Sequence, residues 1–442
     1  MPFDALTTGT FSSYPLPRNT QKIAVIGGGI SGMGAAYMLG KTHQVTLFES
    51  EPKLGGHART VMAGKNGDQP VDTGFIVFNH ENYPYMSALF DQLNVPTVKS
   101  NMSFGASIDG GRLEYALTSL DALFAQRRNA VTPAFLGMVR DILRFNKNAV
   151  KVAEDRSLSL GAFLERLGTG DWFRDYYMLP LSGAIWSTPT EKIMDFPAHA
   201  MVQFFKNHAL LGVHGQHQWH TVQGGSRQYV DRLETALRAA GTELRTGAAV
   251  HSVTRGPGQV TVRTWGGEPE VFDHVVFATH SDDSLRLLTD PSEREEKALG
   301  AIAYQPNDIV LHCDTSLMPK RRKTWASWVY TEDKDAKSDR IDLTYWMNSL
   351  QPIPEDDLHF VTLNTKRRIR EELIYDSVTL RHPVYDLAAL QAQKDVQSFN
   401  GAQNTWFCGA WMKNGFHEDG LSSAVDVVRA LRSVEQERVA AE

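Results

Sequence analysis

Ile23-Ala24-Val25-Ile26-Gly27-Gly28-Gly29-Ile30-Ser31-Gly32 is the stretch whose reading decides the fold. Four apolar residues in a row suit a strand buried on both faces, and the run passes directly into Gly-x-Gly-x-x-Gly. Met33, Ala35, Ala36, Met38 and Leu39 follow as a helix closing at Gly40, and a second strand, Gln44 to Phe48, ends on Glu49. Each part has a physical task. Gly27, Gly29 and Gly32 let the backbone turn tightly and approach a pyrophosphate, whose charge is met by the free N–H groups at the helix start, at Ile30 and Ser31. Glu49, seventeen residues after Gly32, is placed to bind a ribose hydroxyl. A glycine-rich hexamer alone also occurs in turns that hold nothing; the complete order of strand, turn, helix, strand and acid is what points to a dinucleotide.

Working outward, the 442 residues suffice for two or three domains and a large core. With 42% apolar and 22% charged residues the composition is that of a globular protein. A net charge of -6 and the lack of a long basic run remove the phosphate-neutralising attraction that drives nucleic-acid binding, so that class is set aside. Cys313 and Cys408 each lie in an apolar, strand-like run, and two cysteines make neither a disulfide framework nor a metal cage. A reducing cytoplasm is therefore the expected compartment. Residues 1–20 are rich in Ser, Thr and Pro without the apolar core of a signal peptide, and are expected to be a flexible lead-in. No apolar run reaches the ~18 residues of a membrane span, which leaves peripheral contact on the inner face as the open membrane mode.

The rest of the chain divides by pattern. Leu54-Gly55-Gly56-His57-Ala58-Arg59 and Asp72-Thr73-Gly74-Phe75-Ile76 follow the second strand; a glycine pair there permits close backbone approach, although alone it is an ordinary surface turn. Residues 81–220 read as helices, among them Tyr85–Leu93, Leu117–Gln126, Pro133–Ala153 and Leu160–Leu167, followed by the apolar, aromatic runs Tyr176–Trp186 and His199–Val213. Such stripes are ordinarily core; the sharper alternative is the wall of a long apolar pocket or a surface that dips into lipid. Residues 221–300 return to the nucleotide-binding pattern, and 301–402 read as a mostly antiparallel sheet with strands at Asp308–Cys313, Trp325–Tyr330, Ile341–Asn348 and His359–Asn364. Residues 403–442 add a strand, a glycine-rich turn and a helix, another set of backbone donors for a phosphate or ring oxygen. No second Gly-x-Gly-x-x-Gly appears, as a reductase with two dinucleotides would require.

The order Gly-x-Gly-x-x-Gly, Glu49, Leu-Gly-Gly-x and Asp-x-Gly resembles the flavoprotein superfamily of amine oxidases and phytoene desaturases. The resemblance implies an α/β fold: a Rossmann-like FAD-binding domain (21–80, 221–300 and 403–442) with an inserted α+β substrate domain (81–220 and 301–402). It implies FAD as cofactor, held at Gly27, Gly29, Ile30, Ser31, Gly32, Glu49, Gly56, Ala58, Thr73, Gly74, Phe75 and Ile76, at Val250 on the adenine side, at Thr279, and at Gly409, Asp419, Gly420, Leu421 and Ser422. Where amine oxidases usually carry Arg after the glycine pair, this chain has His57, with Arg59 two places on, so either could meet the phosphates. The run His417-Glu418-Asp419 departs from the amine oxidases and is closer to a bacterial branch of these flavoproteins. That branch implies modification of fatty acyl chains, alongside methylating and cyclopropane-forming enzymes.

A bound flavin accepts a hydride at N5, so the open question is which C–H bond donates it. Amine oxidases of this fold usually have a lysine near the position of Asn307 or Asp308 and an aromatic residue at that of Leu421; both departures weaken amine oxidation. The first expectation is an oxidoreductase that desaturates a lipid acyl chain, methyl-branched or unsaturated chains included, with a nearby base removing the proton and oxygen or a quinone reoxidising the flavin. Tyr345 and His382 are the candidate bases and Asn348 an orienting group, each set against the commoner role of a satisfied structural residue. An amine or other small-molecule oxidase is the alternative, and a flavin-holding partner of a lipid-modifying enzyme, without catalysis of its own, the third. His217 and His220 lack the further ligands and supporting carboxylates of a metal site, so no metal is expected. No Gly-x-Ser-x-Gly nucleophile motif occurs.

Overall fold

The computed structural model describes residues 20–186, 193–208, 210–212, 217–333 and 340–441. The lead-in expected at 1–20, apart from Thr20, and Val213 at the end of an expected apolar run lie outside the described residues.

Lys22–Ile26 is the central strand of a five-stranded parallel sheet ordered Glu243–Arg245, Gln44–Phe48, Lys22–Ile26, His274–Phe277 and Thr405–Phe407. Val25 stands opposite Leu47 on one side and Val276 on the other. Because side chains alternate along a strand, this one feeds two cores. Ile23 and Val25 pack with Met33 and Leu39 of helix Ile30–Leu39, Leu233 of helix Arg227–Ala239 and Leu421 of helix His417–Ala441. Ala24 and Ile26 pack on the opposite face with Val253, Val260 and Phe272 of a three-stranded antiparallel sheet, and with Leu299 and Val396. Burying one such branched side chain contributes about 1.5–3 kcal/mol, so neither face of the strand tolerates water.

A second sheet of seven strands is ordered Ile374–Val384, Ala303–His312, Phe360–Leu363, Leu343–Trp346, Trp328–Glu332, Phe104–Ile108 and Leu113–Ala116. Its pairs are antiparallel except Trp328–Glu332 with Phe104–Ile108. The helices of 133–207 cover it through Phe135, Met138, Phe145, Tyr177, Met178, Leu181, Met201, Val202 and Phe205, which form one packed core with Tyr330 and Leu343. The aromatic runs are therefore mainly core.

Two expectations are corrected here. Residues 81–220 are not wholly helical, since they contribute the hairpin Phe104–Ile108 and Leu113–Ala116 as well as strand Thr97–Lys99 and the first residue of strand His220–Val222, both in a further small sheet. The hairpin turns at Asp109 and Gly110, both at positive φ (49° and 59°), the geometry that tight hairpins demand. The helix expected over Leu117–Gln126 shrinks to Leu120–Leu123, started by the Ser119 side chain accepting from Ala122 N.

Candidate functional site

Three separated segments meet at the start of helix Ile30–Leu39. Gly29 caps that helix without a side-chain hydrogen bond, and the first turn holds no acid. A β-carbon at Gly29 would meet nothing within 4 Å, whereas one at Gly32 would lie 1.8 Å from Gly27 O. Gly32 therefore seats the helix on the strand, and Gly29 borders open space. Gly27, at φ +109°, makes the turn that an L side chain would strain. The second segment enters as Gly55 N donates to Gly28 O at 2.9 Å, and a β-carbon on Gly56 would come within 3.1 Å of Gly29 Cα. The third is the C-terminal glycine turn: Gly420 lies so close that a β-carbon there would sit 2.8 Å from Ser31 Oγ, and Leu421 covers Gly34. Gly409 N donates to Ser423 Oγ at 2.9 Å, Asp419 accepts from Phe416 N at 2.9 Å, and Ser422 Oγ accepts from Lys413 Nζ at 2.8 Å. These bonds hold that turn in shape.

Glu49 ends the second strand with Oε2 accepting from Gly28 N at 2.6 Å and Oε1 from Glu51 N at 2.8 Å. Oε1 also accepts from Ser50 Oγ at 3.0 Å, so it is Oε2 that keeps a lone pair for a ribose hydroxyl. Ala248 N donates to Glu49 O at 2.8 Å, which brings the strand beginning at Val250 beside the acid. Thr279, past the end of strand His274–Phe277, accepts from Trp411 Nε1 at 3.0 Å through its carbonyl. Open backbone donors at a helix start without a carboxylate, beside a glycine whose β-carbon would meet nothing within 4 Å, and an acid with spare acceptor capacity fit a flavin dinucleotide.

The segment Thr73 to Ile76 is zipped to His57–Arg59 by Thr73 N to Arg59 O (2.9 Å) and Phe75 N to His57 O (2.8 Å). Gly74 is required there, as a β-carbon would lie 2.0 Å from His57 O. The Phe75 ring stacks on His417 at 4.1 Å, and Ile76 turns into the apolar cluster under the second sheet. Just before them Asp72 is fully buried, accepting from Thr60 Oγ1 (2.6 Å), Ser226 N (2.9 Å), Ser226 Oγ (2.8 Å) and Gln351 Nε2 (2.9 Å). Burial raises its carboxyl to about 6, against the pull of these donors.

Arg59 and His57 depart from the expected phosphate contact, and the reason is chemical. Arg59 makes a bidentate pair with Asp376 at 2.6 and 3.0 Å and also reaches Thr73 Oγ1, so its guanidinium is occupied. His57 is held neutral by burial and bonds the Arg381 backbone carbonyl, which takes its ring N–H and leaves the unpartnered Nε2 with the lone pair. A phosphate oxygen would want a donor there. The backbone N–H groups are the phosphate ligands this geometry offers.

His57 is the middle of a cluster that the sequence did not announce: its ring lies 5.5 Å from His382 and 6.0 Å from His280. Burial, reinforced by mutual repulsion, lowers His280 to about 4 and His382 and His417 to about 3, so all are neutral at pH 7. The Tyr229 phenol, kept protonated by burial, shares a hydrogen bond of 2.6 Å with His417 Nε2. His280 sits just beyond the carboxyl end of a parallel strand, where open α/β sheets receive ligands, and that placement was its one signal.

The three candidate catalytic groups take other roles. Burial holds the Tyr345 phenol far above its ordinary range, so it keeps its proton and is no base; its ring packs edge-on against Trp328. Asn348 donates to the carbonyls of Pro354 (2.7 Å) and Asp357 (2.8 Å) and accepts from His359 N (2.9 Å), which makes it the clamp of its own turn. It also lines a cavity of about 640 Å³ with Lys99, Met102 and Trp219, apart from the cradle residues. His382 Nδ1 accepts from Asn307 Nδ2 at 2.8 Å, so its other nitrogen carries the proton and it too is a donor rather than a base. His217 and His220 gather no metal-like group; among the described residues only His280, Asp282 and Asp283 do, and Arg381 occupies both carboxylates at 2.6 and 2.5 Å.

The sequence profile described as flavin containing amine oxidoreductase matches residues 30–352. An L-amino-acid oxidase of Pseudechis australis is 42% identical over 50 residues, 11% of this chain and 10% of that enzyme; the chain thus matches a tenth of the length of this curated relative. Among solved structures, a CLA-producing fatty acid isomerase from P. acnes superposes with a TM-score of 0.66 at 15% identity, covering 93% of this chain and 98% of that one. Cyclohexylamine oxidase from Brevibacterium oxydans IH-35A gives 0.66 at 13% identity, covering 94% and 100%. At such identities the likeness is one of fold.

Proposed function

Starting from a chain that belongs to the flavin containing amine oxidoreductase family and is an FAD-dependent oxidoreductase, we propose that its substrate is a lipid acyl chain, in which it makes a carbon–carbon double bond. When bound, FAD supplies a two-electron acceptor at N5. The protein's own part is to hold the chain, exclude water and take the proton from the carbon next to the one that loses hydride; oxygen or a quinone removes the electrons afterwards. The observation that carries this reading is His57 Nε2, an enclosed lone pair with no partner, inside a ring of neutral imidazoles. It accepts the proton, while His382, oriented by Asn307, and His417, oriented by Tyr229, present fixed dipoles around it. An ammonium group is poorly served here, because the carboxylates beside His280 are already paired with Arg381. The likeness to a fatty acid isomerase supports the acyl reading, and the likeness to cyclohexylamine oxidase supports amine oxidation as the rival.

Incubation of the holoprotein with detergent-dispersed lipid extract, followed by mass spectrometry, decides between them. Loss of two mass units from acyl chains is expected, and His57→Phe should lower its rate by about a hundredfold, the usual weight of a proton-transfer group. Peroxide release with amines and unchanged acyl masses would overturn the proposal.

A further inference from the structure

Helix Pro133–Val152 shows two faces. Phe135, Met138, Phe145 and Ala149 point into the core, while Leu136, Leu143 and Val150, spaced seven apart, are 42%, 55% and 43% exposed. Arg140 and Lys147 lie between them on the outward face and are exposed too. Val131, just before the helix, and Leu120 add further exposed apolar side chains. Beside the row, a recess of about 580 Å³ is lined by Arg144, Lys151 and Arg166 with the single acid Asp155. Within the helix four cations, Arg140, Arg144, Lys147 and Lys151, face one acid, Asp141, which is buried. On a chain of net charge -6 this is a local reversal of sign.

We infer that this face is a docking surface for an anionic lipid bilayer, the leucines and valine entering the acyl boundary and the cations meeting phosphate headgroups. The pattern is that of an interfacial helix lying in the membrane plane, an apolar ridge flanked by Lys and Arg. A second copy of the chain fits less well. Helix against helix it would set Arg140 and Lys147 among like charges, and the five exposed apolar side chains, Leu120 and Val131 included, fall far short of the ~800 Å² per partner that a stable dimer buries. The inference deepens the lipid reading above and rests on it for its purpose, though its geometry stands on this helix alone.

Co-sedimentation of the holoprotein with vesicles tests it. Capture by phosphatidylglycerol-containing vesicles, weakened by salt and absent with pure phosphatidylcholine, is expected, and Leu136→Glu with Leu143→Glu should reduce it by at least about tenfold. Flavin content reports that the variant is folded; should it fail to fold, Lys147→Glu with Lys151→Glu takes its place with the same expected loss. No capture by either vesicle, capture indifferent to these substitutions, or a dimer in size-exclusion that Leu143→Glu dissolves would overturn it. Turnover of detergent-dispersed lipid without capture sinks the docking face alone; capture without turnover supports the face and sinks the acyl chemistry alone.

Discussion

Gly29 and Gly32 stand three positions apart and differ in what a methyl group would meet. At Gly32 it would run into Gly27 O, so Gly32→Ala should cost the apoprotein more than about 2 kcal/mol in urea unfolding, as overpacking against backbone does. At Gly29 it would meet nothing within the protein, so Gly29→Ala should change apoprotein stability by less than about 1 kcal/mol yet cut flavin retention, because it would enter the open space at a helix start that suits a pyrophosphate. Equal effects of the two on stability would remove the distinction. His382 makes a different residue-scale case. Its imidazole refuses a proton until about pH 3 in the fold, whereas the unfolded chain takes one below 6.5. A depressed native value means stability that is present above pH 6.5 and drains away as pH falls toward 3. Wild type should therefore lose about 2 kcal/mol relative to His382→Asn between pH 7.5 and pH 5, read from paired denaturation curves. A gap that stays constant with pH would mean that His382 titrates in the fold as it does in the open chain.

At the scale of elements, Asp72 joins strand Thr60–Ala63, the start of helix Arg227–Ala239 and the turn after Met347–Leu350 through four donors to one buried carboxylate. Asp72→Ala leaves those donors unmatched away from water and should cost about 3 kcal/mol, seen as a lower urea midpoint; a loss under about 1 kcal/mol would show that water takes its place. The sequence marked Asp72 through the Asp-x-Gly pattern but could not show its partners at Ser226 and Gln351, since nothing local links them. The partner of Arg59 was hidden for the same reason, Asp376 lying 317 residues on. Phe104–Ile108 escaped detection because all five residues are buried, which erases the alternation that signals a half-buried strand. The Asp109-Gly110 turn beside it was a legible hairpin signal.

Taken as a whole molecule, the nucleotide-binding half announces itself because its motif is local: strand, turn, helix and acid fall within thirty residues of chain, and each carries its own periodicity. The imidazole cluster was illegible because His57, His280, His382 and His417 come from four distant stretches, two of them loops, one a strand and one a helix start, which only the tertiary fold brings together. The same wiring affects how the molecule is made. Lys22–Ile26 needs Thr405–Phe407 to extend its sheet and Leu421 to Leu431 to cover one of its flanks. On a ribosome adding roughly 5–20 residues per second, Lys22–Ile26 must wait for Thr405–Phe407 to be made, with its greasy sides exposed meanwhile. A nascent chain of this topology is a natural client for chaperones until helix His417–Ala441 emerges.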